Sequence, residues 1–191
     1  MPVALAARGV ELTVCGLGEL HGQGQRAVTH VLSILDPGYP DPTAFAAWDP
    51  HARETMRFHD IIEEYPGFIA PTREDVGTIL AFGDTIHADG SDLSHLLIHC
   101  HAGISRSTAA LATLLAAETP GDEEGVFARL RAIRAQAWPN SRMIGFADDL
   151  LGCGGRLSAA LREHYRLQVS ARPDLVEMIR SVGRDAEIPP G

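Results

Sequence analysis

The sequence predicts an α/β fold of three layers, in which a central, mostly parallel sheet of about four to five strands is flanked by helices. Two observations support this prediction. Short apolar runs alternate with helical patterns in the first half of the chain, and the second half is mostly helical. The length of 191 residues is typical of one domain. We therefore expect a single domain over 1–191, with its core at about 28–155 and a C-terminal helical extension at 156–191.

The strands are expected where apolar and β-branched residues form short runs. Turn-forming residues bound these runs: Asp36-Pro37-Gly38 ends the second run and Asp60 ends the third. Strands are accordingly predicted at 10–15, 28–35, 54–59 and 95–99. The Gly-rich stretch at 16–24 lacks the spacing of a nucleotide-binding loop, so a connecting turn is predicted there.

The helices are expected where apolar residues recur at a spacing of three and four. The first helix begins at Thr72, the predicted N-cap, with Asp75 at the capping-box position, and it ends before Asp89-Gly90-Ser91. The next helix is apolar nearly all round, which predicts that it is buried. Further helices are predicted at 107–118, 123–137, 142–151 and 156–166, with a short one after Pro173.

Composition and charge exclude several classes of protein. The formal charge is −9 at pH 7 and no Lys/Arg run is present, which argues against nucleic-acid binding. The apolar stretches are far too short to span a membrane, and the N-terminus lacks the pattern of a signal peptide. The three cysteines, Cys15, Cys100 and Cys153, form an odd and low number, which favours a reducing compartment. We expect a cytoplasmic protein that does not act at a membrane; its oligomeric state is not indicated.

The segment 99–107, His-Cys-His-Ala-Gly-Ile-Ser-Arg-Ser, has the features of an anion-binding loop. It lies between a predicted strand and the predicted buried helix, where backbone N–H groups and the helix dipole favour a bound anion. Arg106, in the first helical turn, can bind two phosphate oxygens. The same field favours the thiolate of Cys100, which can attack phosphorus and form a phosphocysteine. We therefore expect a phosphate or sulfate ion to bind in this loop.

The pattern His-Cys-x5-Arg-Ser resembles the active-site loop of the cysteine-based protein tyrosine phosphatase superfamily, and it is most similar to the dual-specificity branch. The resemblance implies that Cys100 is the nucleophile, that Arg106 binds the phosphate and stabilises the transition state, and that Ser107 stabilises the leaving thiolate. It implies that His99 bonds nearby backbone and favours the thiolate, and that no metal and no cofactor are needed. The expected phosphate-binding residues are His101, Ala102, Gly103, Ile104, Ser105 and Arg106. Relatives usually have Gln where this chain has His101.

The superfamily supplies a proton to the leaving group from an aspartate on an upstream loop. The candidates are Asp36, Asp41, Asp49, Asp60, Asp75, Asp84, Asp89 and Asp92. Asp60 is favoured because it follows a predicted strand, where α/β folds build their sites, and because the segment 57–60 resembles the family's pattern. A surface turn or cap is the alternative for Asp60, and His59 is the rival acid. Asp36 is predicted to form a turn.

Other chemistries remain open from the sequence. His95, His99 and His101 lie near the nucleophile, but no second Cys/His pair follows at ligand spacing, so we expect no metal. Thiol redox chemistry such as arsenate reduction needs resolving cysteines, and Cys15 and Cys153 are expected to pack in the core. A catalytically weak phospho-binding module is the non-enzymatic alternative. The substrate is either a phosphorylated protein or a small phosphoester such as an inositol phosphate or a nucleotide.

One further motif resembles the family. Pro139-Asn140 is similar to a pair that supports the active-site loop in dual-specificity phosphatases, although by itself it indicates only a helix end and a cap.

Overall fold

The computed structural model describes residues 9–88 and 93–190. Its centre is a four-stranded sheet with the order β1-β4-β2-β3, and each neighbouring pair is parallel. The strands are β1 (Glu11–Cys15), β2 (His30–Leu35), β3 (Ala52–Arg57) and β4 (His95–His99). This parallel sheet, packed against helices, confirms the predicted α/β fold.

Six α-helices follow or separate the strands in the described part of the chain. They are α1 (Arg73–Ala88), α2 (Arg106–Glu118), α3 (Glu123–Ile133), α4 (Ser141–Leu150), α5 (Arg156–Ala171) and α6 (Pro173–Ser181). Three short 3-10 helices span Leu17–Gln23, Thr43–Ala47 and Asp185–Glu187. Within these described ranges, no helix is both long enough and apolar enough to cross a membrane.

The two faces of the sheet bury different clusters of side chains. Successive residues of a strand point to opposite faces, so Leu96 and Ile98 join the α-helices while Leu97 faces the other way. On that second face, Leu20 and Phe45 of the first two 3-10 helices complete a smaller cluster. The third layer of the fold is therefore built from 3-10 helices and loops rather than from α-helices.

The core extends beyond 28–155 in both directions. β1 pairs with β4, and Leu161, Tyr165 and Ile179 of α5 and α6 lie in the same cluster as the residues of the sheet. The helices predicted as a C-terminal extension therefore pack against the same core as the sheet.

Element ends differ from expectation at a few places. The helix expected at 123–137 ends at Ile133, because the chain turns there to contact the loop at 99–107, as described below. α5 continues to Ala171 rather than ending at 166. The start of α1 has the predicted capping box, since the backbone N–H of Thr72 donates to Asp75 and that of Asp75 donates to the Thr72 hydroxyl.

The parallel register brings three strand ends together. His99 at the end of β4 lies opposite Cys15 of β1 and Ser33 of β2. The segments that leave these strands therefore meet at one edge of the sheet, beside the start of α2. This is the edge at which parallel α/β folds place their functional sites.

Candidate active site

The loop at 99–107 connects β4 to α2, and its carbonyl groups are bonded from the outside. The carbonyl oxygens of His101, Gly103 and Ile104 accept hydrogen bonds at 3.0, 2.9 and 2.8 Å from Leu17 N, Arg134 Nε and Trp138 N. In a trans peptide the carbonyl and the following N–H point in opposite directions. The outward carbonyls therefore direct the N–H groups that follow them toward the inside of the loop, where an anion can bind.

Two glycines allow the end of β1 to pack against this loop. Gly103 has a φ of +68°, and a Cβ added there would lie 2.4 Å from the carbonyl carbon of Cys15. A Cβ added at Gly16 would lie 2.9 Å from the backbone of Ala102. Neither position accommodates a side chain without displacing backbone, so both glycines are required for the shape of the loop.

An ion pair holds the outer side of the loop. Arg134 donates to both carboxylate oxygens of Glu19, at 2.8 and 2.7 Å, while its Nε bonds the loop. The hydrogen bond from Arg134 lowers the pKa of Glu19, against the effect of burial. Neither residue was expected from the sequence, because neither lies in or beside a recognisable motif.

Cys100 lies buried at the base of the loop, at the N-terminal end of α2. Its Sγ is 3.1 Å from the Ser107 hydroxyl and accepts a hydrogen bond from Gly103 N at 3.3 Å. Both groups can donate to a thiolate, and the N-terminus of the 13-residue helix adds a favourable dipole. Cys100 and Ser107 thus lie together, in contact.

Arg106 is anchored on one side only. Its side chain is 3% exposed, and Nη1 donates to Asp36 Oδ1 and to the Phe58 carbonyl, each at 2.6 Å. Its Nε is buried and has no hydrogen-bond partner among the described residues. A buried N–H of an arginine is costly to leave unpaired, so this geometry favours an anion bound beside it.

Asp36 is a second carboxylate of the site, which the sequence analysis assigned to a turn. The turn is present, since Tyr39 N donates to the Asp36 carbonyl at 3.1 Å, but the side chain also pairs with Arg106. Asp60 was favoured because it follows a predicted strand, and Asp36 meets the same criterion, since it directly follows β2 at the carboxyl edge of the sheet.

Asp60 lies beside the loop and is bonded through one oxygen. Asp60 Oδ1 accepts from Ser105 Oγ at 2.7 Å, Asn140 Nδ2 at 2.9 Å and Arg184 Nη1 at 3.2 Å. No donor to Oδ2 is found within 9–88 and 93–190, and 30% of the side chain is exposed. Asn140, of the Pro139-Asn140 motif, therefore supports the segment that carries Asp60, while Trp138 contacts the loop itself.

The other candidate acids have different roles or lie elsewhere. Asp41 pairs with the exposed Arg57, and Asp75 caps α1. His59 closes the loop after β3, since its Nδ1 accepts from the N–H of Ile69 at 2.9 Å. Asp89 and Asp92 lie outside the described residues.

Burial favours the neutral form of the two histidines beside Cys100. Burial lowers the pKa of His99 to about 4, with the Cys100 backbone acting in the opposite direction, and its Nε2 lies 2.7 Å from the Ser33 hydroxyl. His99 thus contacts the Ser33 side chain as well as the backbone of Cys100. Burial also lowers the pKa of His101, against the effect of Asp36, whose backbone N–H donates to His101 Nε2 at 3.1 Å. Neither ring adds positive charge to the loop.

The same histidines do not form a metal site. His95 bonds Thr13 and the Arg26 carbonyl, while His99 and His101 have the separate partners described above. In the described part of the chain, no three His, Cys, Asp or Glu residues are arranged to hold a metal ion.

The segment after α6, at 182–190, is called the C-terminal tail below. It contributes two residues to the site that no sequence motif indicated. Arg184 donates to Ser105 Oγ at 2.6 Å and to Glu187 at 2.5 Å. Glu187 is buried and also accepts from Trp138 Nε1 at 2.9 Å and Ser141 N at 2.7 Å. No local pattern marks these residues as part of the site, because Ser105 and Trp138, which they bond there, are distant in the chain.

The two remaining cysteines are buried free thiols. Burial, with a smaller effect of Glu19, raises the pKa of Cys15 to about 12. Burial likewise raises the pKa of Cys153. Both thiols therefore stay protonated.

Comparisons with solved structures identify the same architecture in other proteins. The Yvh1 phosphatase domain from Chaetomium thermophilum is 19% identical, with a TM-score of 0.57 over 78% of this chain and 94% of that one. A human tyrosine phosphatase-like serine/threonine/tyrosine-interacting protein is 15% identical, with a TM-score of 0.54 over 77% and 87%. PTPMT1 in complex with PI(5)P is 12% identical, with a TM-score of 0.52 over 74% and 90%. No protein-family model and no curated protein matches the sequence. These likenesses confirm the fold that the loop implied.

Proposed function

We propose that this chain, which has the fold of the dual-specificity domains of the cysteine-based protein tyrosine phosphatase superfamily, is a phosphoric monoester hydrolase with Cys100 as nucleophile. One observation carries the proposal. The Cys100 Sγ lies 3.1 Å from the Ser107 hydroxyl, at the base of a loop whose carbonyls are bonded from the outside. A thiolate below an anion-binding loop is the arrangement that nucleophilic attack on a phosphate ester requires.

The first step transfers the phosphoryl group to the enzyme. The phosphate binds to the inward N–H groups of His101 to Arg106 and to the free Nε of Arg106. The Cys100 thiolate then attacks phosphorus in line, and the bond from phosphorus to the ester oxygen breaks. Asp60 donates its proton to that oxygen, which leaves as an alcohol or a phenol.

The second step regenerates the thiolate. The Asp60 carboxylate accepts a proton from a water molecule, whose oxygen attacks phosphorus, and the P–S bond breaks. The Ser107 hydroxyl donates a hydrogen bond to the departing sulfur. Inorganic phosphate is released, and the cycle uses neither a metal nor an organic cofactor.

The surroundings of the loop favour a phosphorylated protein as substrate. Exposed apolar side chains flank the site: Tyr39 packs on His101 at 4.5 Å, and Phe68 packs on His59 at 4.9 Å, between ring centroids. The chain carries a formal charge of −9, which disfavours a substrate with several phosphates. PTPMT1 in complex with PI(5)P makes inositol phosphates the comparison to include when substrates are screened.

Free cysteines and a thiolate nucleophile are compatible with a reducing compartment. We therefore propose a cytoplasmic location.

The decisive test replaces Cys100. We expect Cys100→Ser to abolish turnover of para-nitrophenyl phosphate while tungstate binding, measured by calorimetry, is retained. Cys153→Ser is the matched control, because that thiol is buried away from the loop, and it should keep wild-type turnover. Normal turnover by Cys100→Ser would refute the proposal.

Two further measurements separate the alternatives. Tight phosphopeptide binding by the wild-type chain without a burst of product would identify a phospho-binding module instead. A disulfide between Cys100 and Cys15 under mild oxidation, detected by mass spectrometry, would favour redox chemistry. The protonated state of Cys15, with a pKa of about 12, argues against this last outcome.

A further inference from the structure

The C-terminal tail places a buried cation at the candidate active site. Arg184 follows α6, and its side chain is 3% exposed. Burial by itself would lower the pKa of Arg184, but the carboxylates of Asp60 and Glu187 outweigh it and raise that pKa. The guanidinium therefore stays charged inside the protein, where an unpaired cation is costly. Its partners must offset that cost.

The contacts of Arg184 reach both the loop and the proposed acid. Nη1 donates to Ser105 Oγ at 2.6 Å and to Asp60 Oδ1 at 3.2 Å. The Ser105 hydroxyl donates in turn to the same Asp60 oxygen at 2.7 Å. The three side chains thus form a closed triangle of hydrogen bonds around Oδ1. Oδ2, without a donor in the described ranges, is left as the oxygen that carries the proton.

Glu187 balances the charge of Arg184. It accepts from Arg184 Nη2 at 2.5 Å and is itself held by Trp138 Nε1 at 2.9 Å and Ser141 N at 2.7 Å. The negative charge of Glu187 already balances the positive charge of Arg184. The buried Arg184–Glu187 pair therefore stays neutral overall when Asp60 is protonated. Arg184 can therefore orient Asp60 without requiring it to stay ionised.

We propose that Arg184 is a positioning residue of this active site: it orients Asp60 for proton transfer to the leaving group and does not contact the substrate. The C-terminal tail is then required for full activity, although it lies far from Cys100 in the sequence. This inference rests on the proposed function, since it takes Asp60 as the acid.

The test exploits the dependence of acid catalysis on the leaving group. Phenyl phosphate has a poor leaving group that needs a proton, whereas 2,4-dinitrophenyl phosphate has a good one that does not. We expect Arg184→Met to lower kcat on phenyl phosphate by about 10- to 100-fold. KM, and kcat on the dinitrophenyl ester, should change little. Arg184→Lys should restore part of the loss.

Arg180→Met is the matched control. Arg180 lies in α6, four residues before Arg184, but its side chain is 59% exposed and lies 3.9 Å from Asp185 rather than near the loop. We expect this variant to keep wild-type kinetics on both esters.

A double-mutant cycle distinguishes positioning from a merely structural role. In an Asp60→Asn background, Arg184→Met should add no further loss on phenyl phosphate, because its effect acts through Asp60. Losses that multiply, or an equal loss on both esters, would overturn the inference.

A second variant covers the case in which Arg184→Met does not fold. Arg184→Met/Glu187→Gln removes both charges, and its folding is checked by near-ultraviolet circular dichroism and tungstate binding. The double variant should lose kcat on phenyl phosphate but not on the dinitrophenyl ester. A wild-type kcat on phenyl phosphate would overturn this inference and leave the proposed function standing. If the wild-type chain turned over neither ester, both the proposed function and the inference about Arg184 would be overturned.

Discussion

Replacing Gly103 with alanine tests the close packing behind the loop. Gly103 has a φ of +68°, and an L side chain in this region costs about 1–2 kcal/mol. The added Cβ would lie 2.4 Å from the Cys15 carbonyl carbon and 2.6 Å from Gly16 N. Because both neighbours are backbone atoms, the loop must move by about 1 Å to reach normal carbon contacts, and such overpacking costs about 1–3 kcal/mol more. We therefore expect the free energy of unfolding to fall by about 2–5 kcal/mol.

The same displacement should reduce activity. It moves the N–H groups that follow Gly103 away from the phosphate, and a misplacement of about 1 Å costs on the order of 100-fold in rate. The measurements are the urea midpoint and kcat/KM on para-nitrophenyl phosphate. Gly77→Ala in α1 is the control: no atom lies within 4 Å of its added Cβ, so stability should rise by about 0.5–1 kcal/mol with activity unchanged. Wild-type stability and activity in Gly103→Ala would refute the reasoning.

Two further predictions concern the ion pair between Asp36 and Arg106 and the buried ring of His164. Asp36→Asn should lower kcat/KM by about 10- to 100-fold, because a hydrogen bond between charged groups is worth about 1.5–3 kcal/mol. Asp41→Asn is the control, since Asp41 is exposed and pairs with Arg57. Equal kinetics in the two variants would contradict the role of Asp36. Burial lowers the pKa of His164 to about 4, below its ordinary 6.5, so its neutral form stabilises the fold above pH 6.5 and this stability is lost as the pH falls toward 4. From pH 7 to 4.5 we expect urea unfolding to show a loss of about 2 kcal/mol from this group. His164→Gln should reduce the change in the free energy of unfolding between pH 7 and 4.5 by that amount. An unchanged pH dependence of this free energy would refute the lowered pKa of His164.

Local sequence determined the elements that carry the chemistry. The strand at 95–99, the following loop and the buried helix were each predicted within one residue of their observed ends. The capping box of Thr72 and Asp75 was predicted for the same reason. These features depend on residues a few positions apart, and β-propensity, helix periodicity and capping act over that range.

The tertiary structure decided which side chains surround the loop. Arg184 bonds Ser105 across 79 positions, and Arg134 bonds Glu19 across 115. Contacts of this kind leave no pattern in a single sequence, because they arise only when the packing of the sheet and helices brings distant segments together. The neutral state of His99 also depends on burial, which no short segment specifies. The sequence by itself therefore determined the loop that contains Cys100 and Arg106, whereas packing alone decided that Asp36 anchors Arg106 and that Arg184 reaches Asp60.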